Sequence, residues 1–332
     1  MTRKITINDV AAVAGVSRGA VTRALNDKTD INPETKKRVL EVSARLGYRP
    51  SRFARNFAAR TKTLAIGYVV ASFRNPYYTD LAADILQEAK RRGWQVVITA
   101  TELIEEEEDA LELLADQVDV IVGHINLEPA RIKAAARGLP VVLLERASET
   151  AGIHSVELDW RAGIKTAIEA LYERGANHIG MLDSDYSLRT SSAYVPSIRR
   201  GYFEEFVRPA SRQAVVWGAE TFAGGGSAFG ALLAQHPEVD AVLAFNDVMA
   251  IGAVQGAEGL GIDVPGKVRI LGVDGLSLGE AISPKLSSLA VDRLAMSIQA
   301  LDIVEELSRH QFRELPSIHR RTEAKLLWRE SA

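Results

Sequence analysis

Residues 15–26 read GVSRGAVTRALN, and their surroundings decide the fold of the first fifty residues. Gly15 separates two apolar sets at helical spacing: Ile7, Val10, Ala11 and Ala14 before it, and Val16, Ala20, Val21, Ala24 and Leu25 after it. Apolar residues recurring every three or four positions mark one face of a helix, and a glycine between two such runs marks a tight turn. Thr6 and Ser17 each stand just before a run, where a hydroxyl can accept an otherwise unpaired N–H of the first helical turn. A third helix follows in NPETKKRVLEVSARLG, with Pro33 in its first turn and Gly47 as its stop. Three short helices with such a turn predict a helix-turn-helix unit.

Charge points the same way. Residues 1–60 contain 13 Lys plus Arg against 5 Asp plus Glu, although the whole chain carries a net charge of only -3. A small basic domain on an acidic body is expected where that domain meets a polyanion, because neutralising phosphates releases counterions and steers encounter. In helix-turn-helix geometry the second helix enters the major groove N-terminus first. That orientation turns Arg18, Gly19 and Ala20 toward base edges and sets Thr22 and Arg23 one turn further on. Arginine there suits a bidentate contact to guanine. Gly19 costs about 1 kcal/mol against alanine inside a helix and offers no side chain to read a base; its expected use is close approach of backbone to DNA. Asn26 and Tyr48, near helix ends, are candidate phosphate donors that fix register.

The remaining chain bounds the function. At 332 residues and 47% hydrophobic content it can bury two or three domains. It has no membrane-length apolar run, and MTRKITINDV lacks a signal-peptide core, so a cytoplasmic, nucleoid-associated location is expected. Cysteine is absent, which removes disulfides, thiolate nucleophiles and cysteine-ligated zinc; no cofactor or metal is expected. There is no P-loop, GxGxxG, HExxH or nucleophile elbow in context, which disfavours a sugar-processing enzyme. A transport-system binding module is disfavoured by the basic N-terminal unit. GGGSAF at 224–229 reads as a loop before a helix, and TELIEEEEDALELL at 101–114 as a solvated acidic helix start.

From residue 62 short apolar runs alternate with amphipathic helices, which predicts α/β architecture with doubly wound parallel sheets. LAIGYVV and HIGMLDS open two similar halves, so the core is expected to have two lobes. The expected division is a headpiece at 1–49, a hinge or linker at 50–61 and a core at 62–332. Within the core the first lobe takes about 62–160 and 292–318, and the second about 161–291 and 319–332. Ligands of open α/β sheets bind beyond the carboxyl ends of strands. That rule selects Phe73, Asn75, His124, Glu145, Arg146, Asp183, Asn246, Asp247 and Asp274, with Tyr77 and Tyr78 offering ring faces. Carboxylates and amides suit paired hydroxyls, and aromatic faces suit a sugar or a base. Asp247 is expected to cap the helix VMAIGAVQGA rather than bind ligand.

ITINDVAAVAGVSRGAVTRALN closely resembles the headpiece of the lactose-repressor (LacI/GalR) family, T-I-x-D-V-A-x-x-A-G-V-S-x-x-T-V-S-R-x-L-N, departing at Ala20 and Thr22 where threonine and serine are usual. NPYY, LDWRAG, FNDVMAIGA and VRILGVDG are similar to motifs of that family's periplasmic-binding-protein-like core. The resemblance implies that linker residues Ala54-Arg55-Asn56-Phe57 form a hinge, with Phe57 as a minor-groove wedge and Arg52 and Arg55 on the DNA backbone. It implies effector contact at Tyr77, Tyr78, His124, Arg146, Asp159, Asn246 and Asp274. Trp160 replaces the usual asparagine, and Asp183-Ser184-Asp185 the usual I-G-G-P. Ile198 stands where the family places an effector-gripping arginine; Arg199 and Arg200 are adjacent but are expected to point elsewhere. The implied activity is that of a ligand-responsive repressor binding a near-palindromic operator as a homodimer. The effector is expected to be a carbohydrate, with a nucleoside as the alternative. TEAKLLWRESA carries no leucine heptad, so no tetramerisation tail is expected.

Overall fold

The computed structural model describes residues 7–25, 31–46, 64–104, 106–186 and 193–332. Thr6, Asn26, Gly47, Tyr48 and the linker residues Arg52, Arg55 and Phe57 lie outside them. The N-terminal unit comprises α1 (Ile7–Ala14), α2 (Arg18–Leu25) and α3 (Pro33–Leu46), closed on Val10, Ala14, Val21, Ala24, Val39 and Val42. Gly15 takes φ +66° at the turn, where a side chain would be strained. Ser17 Oγ accepts from Ala20 N–H at 3.2 Å and Asn32 Oδ1 from Glu34 N–H at 2.9 Å, so hydroxyl and amide cap α2 and α3.

The core begins with β1 (Ala65–Val70), α4 (Pro76–Arg91), β2 (Gln95–Ala100), α5 (Glu107–Ala115), β3 (Val120–Gly123), α6 (Pro129–Ala135), β4 (Val141–Leu144) and β5 (Ile153–Leu158). Then come α7 (Trp160–Glu173), β6 (Ile179–Ser184), α8 (Ile198–Phe206), β7 (Val215–Gly218), α9 (Phe222–Gln235), β8 (Ala241–Ala244), α10 (Asp247–Gly259), β9 (Arg269–Asp274) and β10 (Ser287–Val291). The chain ends in α11 (Arg293–Arg309), β11 (His319–Thr322) and β12 (Ala324–Leu327). Two six-stranded sheets result, ordered β11-β5-β4-β3-β1-β2 and β12-β10-β9-β8-β6-β7. All pairs are parallel except β10 with β12. The central strands are apolar throughout, as parallel strands covered on both faces must be: β1, β3, β4 and β8 are wholly buried.

The chain passes between the sheets three times, after β5, after β10 and after β11. The last passage corrects the expected boundary at 318/319: β11 pairs with β5 in the first sheet, and Ser155 Oγ lies 2.9 Å from His319 Nδ1, so the crossing falls at Glu323. Two further expectations change. Gly224, Gly225 and Gly226 lie inside α9, not in a loop, because α9 and α10 pack backbone against backbone. The acidic stretch is only partly solvated: Glu102 accepts from Ser72 Oγ at 2.6 Å and Phe73 N–H at 2.8 Å, and Glu107 from Asn126 N–H at 2.8 Å. These carboxylates staple the loops after β1 and β3.

The close α9–α10 contact gives a stability test. A Cβ on Gly252 would lie 2.0 Å from Phe222 O, and one on Gly225 2.2 Å from Met249 O. Gly252→Ala is therefore expected to destabilise the core by about 1–3 kcal/mol through overpacking, read as a lower urea midpoint. Gly259→Ala near the end of the same helix, where a Cβ meets nothing within 4 Å, is expected to be neutral or slightly stabilising.

Candidate functional site

On α2, burial of Val21 and Ala24 turns the opposite face outward, leaving Arg18, Gly19 and Arg23 exposed with Ala20 and Thr22 half-buried between them. The Thr22 hydroxyl donates to Arg18 O at 3.0 Å, which occupies its proton within the helix. A Cβ on Gly19 would meet only Ser17 Oγ, at 3.8 Å, so packing of the unit does not demand glycine there.

A second concentration of chemistry lies where the carboxyl ends of the two sheets face each other. On the first lobe, Gly123 has φ +154° and a Cβ there would overlap Val69 O, so only glycine lets β3 approach β1 closely enough to place His124 beyond the strand ends. His124 Nε2 lies 3.2 Å from Glu145 Oε1, and the Tyr77 hydroxyl donates to the same oxygen. Tyr78 packs edge to face on both Tyr77 and His124, with ring centroids 5.2 and 4.9 Å apart. Burial pushes Glu145 upward, but His124, Arg199 and Tyr77 outweigh it and hold the carboxyl below its ordinary range. Tyr77 and Tyr78 are raised well above the ordinary phenol by burial and then by Glu145, so both remain neutral donors.

On the second lobe Asp274 is buried, with Oδ2 lacking a hydrogen-bond partner among the described residues, and its acidity is strongly suppressed by burial and then by the charge of Asp247. Glu145 and Asp274 both hold positive φ, +66° and +122°, at the ends of β4 and β9. Two non-glycine residues in that region cost about 1–3 kcal/mol each and tend to cluster at ligand sites. Asp183 is likewise buried, one oxygen receiving the Tyr194 hydroxyl and, at 3.2 Å, Ser197 N–H.

Arg199 corrects the expectation that it points away. Its guanidinium is buried, 3.7 Å from the Trp160 ring centroid and 4.3 Å from that of Phe245, and donates to Phe245 O. It acts electrostatically on Tyr78, Glu145 and Asp274, which places a cation between the lobes despite Ile198. Arg200 is half-buried, pairing with Glu204 at 2.6 Å and donating to Tyr194 Oη at 3.2 Å. Trp160 thus stacks on Arg199, a use its place in the sequence did not indicate.

Other selected residues have structural commitments. Asp159 caps α7 through Ala162 N–H at 2.9 Å and pairs with Arg321 at 3.2 Å. Arg146 donates to Ile125 O and Leu127 O at 3.0 and 3.3 Å, tying down the loop after β3. Asn246, not Asp247, caps α10: its Oδ1 accepts from Met249 N–H at 2.9 Å while Nδ2 donates to Glu220. Asp247 instead accepts from Ser288 Oγ and Leu276 N–H, both at 2.6 Å, anchoring the turn after β9. Phe73 is exposed on the loop after β1. Sequence reasoning missed Tyr194, Trp217 and Glu220: Trp217 lies within the edge strand β7, Glu220 stands two residues beyond its end, and Tyr194 comes from the segment before α8. Among the described residues no group of three or more His, Asp or Glu is placed to hold a metal ion, and no helix is long and apolar enough to cross a membrane.

Comparison with known proteins places the fold in a family. The family model described as periplasmic binding proteins and sugar binding domain of LacI family matches residues 63–321, and that of bacterial regulatory proteins, lacI family, matches residues 6–51. Catabolite control protein A of Staphylococcus xylosus is 30% identical over 289 residues, covering 86% of this chain and 87% of its own length. That of Priestia megaterium is 30% identical over 291 residues, with coverage of 86% and 87%. A LacI family regulator from Arthrobacter sp. FB24 in complex with lactose superposes with a TM-score of 0.71 at 26% identity, over 80% of this chain and 98% of that one. The lac repressor dimer bound to operator and the anti-inducer ONPF shares the fold, with a TM-score of 0.71 at 22% identity over 99% of both chains. A basic helix-turn-helix unit and a two-lobed core, each matched by its own family model, make this chain a member of the LacI family of bacterial transcriptional regulators.

Proposed function

We propose that the chain binds a near-palindromic operator as a homodimer and that a carbohydrate in the interlobe cleft controls this binding. The observation that carries the reading is the facing arrangement of Glu145, His124 and Tyr78 on one lobe and Asp274, Arg199 and Glu220 on the other, joined by crossover segments. A ligand bridging those groups binds the closed arrangement better than the open one, and any difference in headpiece spacing between the two couples DNA affinity to ligand. Carboxylates, an amide and tyrosine hydroxyls supply acceptors and donors for sugar hydroxyls. Arg18 and Arg23 are assigned to the major groove, with Gly19 allowing close backbone approach. A nucleoside would need an open face at Tyr77 and Tyr78, whereas those rings pack edge to face on each other and on His124.

Selection of DNA from a random library by the full-length protein, followed by titration at several salt concentrations, tests the DNA half. The expected outcome is a two-fold symmetric site whose affinity falls steeply with salt. Arg18→Ala is expected to weaken the selected site by about 1–3 kcal/mol and to relax one base position in each half-site. Salt-independent binding, or an asymmetric consensus, would overturn this reading. Thermal shifts of the full chain against neutral sugars, sugar phosphates and nucleosides test the effector half; ligand at about 100 Kd stabilises by roughly 2.7 kcal/mol.

A further inference from the structure

Asp183 is fully buried at the end of β6, yet only one of its oxygens is satisfied; Oδ1 has no hydrogen-bond partner among the described residues. A buried carboxylate oxygen left unpaired is costly, so a donor from a bound molecule fits there. Its neighbour in register on the edge strand β7 is Trp217. Trp217 is 46% exposed, and Tyr194 stacks on it with centroids 5.3 Å apart and planes 17° from parallel. The Tyr194 hydroxyl in turn donates to Asp183, so indole, phenol and carboxylate form one rigid corner. Burial and the bond to Asp183 raise the Tyr194 phenol to about 12, which keeps it a donor. Beside this corner Glu220 is fixed across three strand ends, accepting from Ser184 Oγ at 2.6 Å and Asn246 Nδ2 at 3.1 Å.

An exposed aromatic face beside fixed carboxylates matches the apolar face and hydroxyl edge of a pyranose ring. Strands β9 and β7 are three strand spacings apart, about 14 Å. One ring cannot touch Asp274 at the end of β9 and Trp217 at the end of β7 together. The charge is equally informative: among the described residues Glu145, Asp183 and Glu220 outnumber the guanidinium groups near them, Arg199, which donates to Phe245 O between two aromatic rings, and Arg200, which donates to Tyr194 Oη and pairs with Glu204. Phosphorylated or acidic sugars are disfavoured by this balance.

We propose that Trp217, Tyr194, Asp183 and Glu220 form a second ring subsite, so that the effector is an uncharged sugar of at least two rings. This rests on the carbohydrate reading above. The test is calorimetric titration of the full-length protein with neutral disaccharides of glucose, galactose, mannose and xylose, their monosaccharides, glucose 6-phosphate and glucosamine. The expected result is a disaccharide bound at least tenfold more tightly than either of its monosaccharides. Trp217→Ala, with an unchanged melting temperature, should remove that advantage while leaving monosaccharide Kd within twofold. Tyr194→Phe keeps the stacked ring but frees Asp183, and should weaken the disaccharide severalfold. Equal affinity for one ring and two, or equal loss of both in Trp217→Ala, would overturn the subsite. Preference for glucose 6-phosphate or glucosamine would overturn the uncharged class. Binding of no sugar at all would overturn the carbohydrate reading itself, and the subsite with it.

Discussion

Arg199→Ala is expected to lower the stability of the protein by about 3 kcal/mol, because it strips a buried cation from a site of buried carboxylates and empties the slot between two aromatic rings. Trp160 and Phe245 each lose a guanidinium packed within 4.3 Å, and Phe245 O loses its donor. Asp274 and Glu145 lose the positive charge that partly offsets their burial. Arg199→Lys should recover half of the loss at most, since an ammonium keeps the charge but cannot stack as a planar fork. Arg200→Ala is the internal control: its i,i+4 pair with Glu204 and its bond to Tyr194 Oη are partly solvated, so a change of no more than about 1 kcal/mol is expected. For any sugar that binds the wild type, Arg199→Ala should also weaken affinity by roughly 30-fold, the loss of one charge-assisted hydrogen bond. Urea denaturation and calorimetry read the two effects separately. Equal small effects at 199 and 200 would remove Arg199 from its place between the lobes.

The second large effect is a pH dependence set by the two buried acids of the second lobe. Burial raises Asp247 to about 6, although Ser288 and Leu276 N–H both donate to it, and Asp274 is pushed well above the ordinary carboxylate range by burial and by Asp247. A carboxyl whose folded pKa lies above its unfolded value binds its proton more tightly in the native state. Its contribution is therefore fully present below about pH 4 and is lost as pH rises through the folded pKa. For Asp247 that window is about pH 4–6, and the loss amounts to roughly 3 kcal/mol at most. Asp247→Asn preserves the shape and can still accept from Leu276 N–H while donating to Ser288 Oγ. The variant should be less stable than, or equal to, wild type near pH 4 and gain on it steadily toward pH 7. Urea midpoints measured across that range check the sign. A difference between the two proteins that does not vary with pH would show that Asp247 ionises as an ordinary carboxylate.

Glu88 works in the opposite direction and in a separate window. Hydrogen bonds from Arg91 oppose its burial and, with Arg92, bring it to about 2, so its contribution is present above about pH 4.5 and is lost as pH falls toward 2. Acid denaturation below pH 4 therefore reports the helix α4 clasp, in which Arg92 also reaches Asp302 of α11 at 2.7 Å, together with Glu145 in the cleft, whose carboxyl is likewise held below its ordinary range.

How far the sequence could be read depended on whether a signal was local. The helix-turn-helix follows from residue spacing and from Gly15, whose positive φ is a property of one residue. The strand-end rule located His124, Glu145, Asp183, Asn246 and Asp274, because a parallel strand points its terminal residues toward the ligand side whatever its neighbours are. Chain pattern could not tell that Asp159 spends its carboxylate on a helix start and Arg321, or that Arg146 spends its guanidinium on two carbonyls. Capping depends on the dihedrals at one junction, and those made Asn246 rather than Asp247 the cap.

The amino-acid order alone therefore determined the element types, the alternation that builds two sheets and the residues at the strand ends. Only the tertiary structure decided which of those residues face the cleft and which are consumed. Arg199 turns inward because Trp160 and Phe245, from two other segments, form a slot for a planar cation. The corner of Asp183, Tyr194, Trp217 and Glu220 exists because β6, β7 and the approach to α8 meet at one sheet edge. Hydrogen-bond donors and ring faces drawn from distant segments have no period in the sequence, and their pairing is settled only when packing brings them within reach.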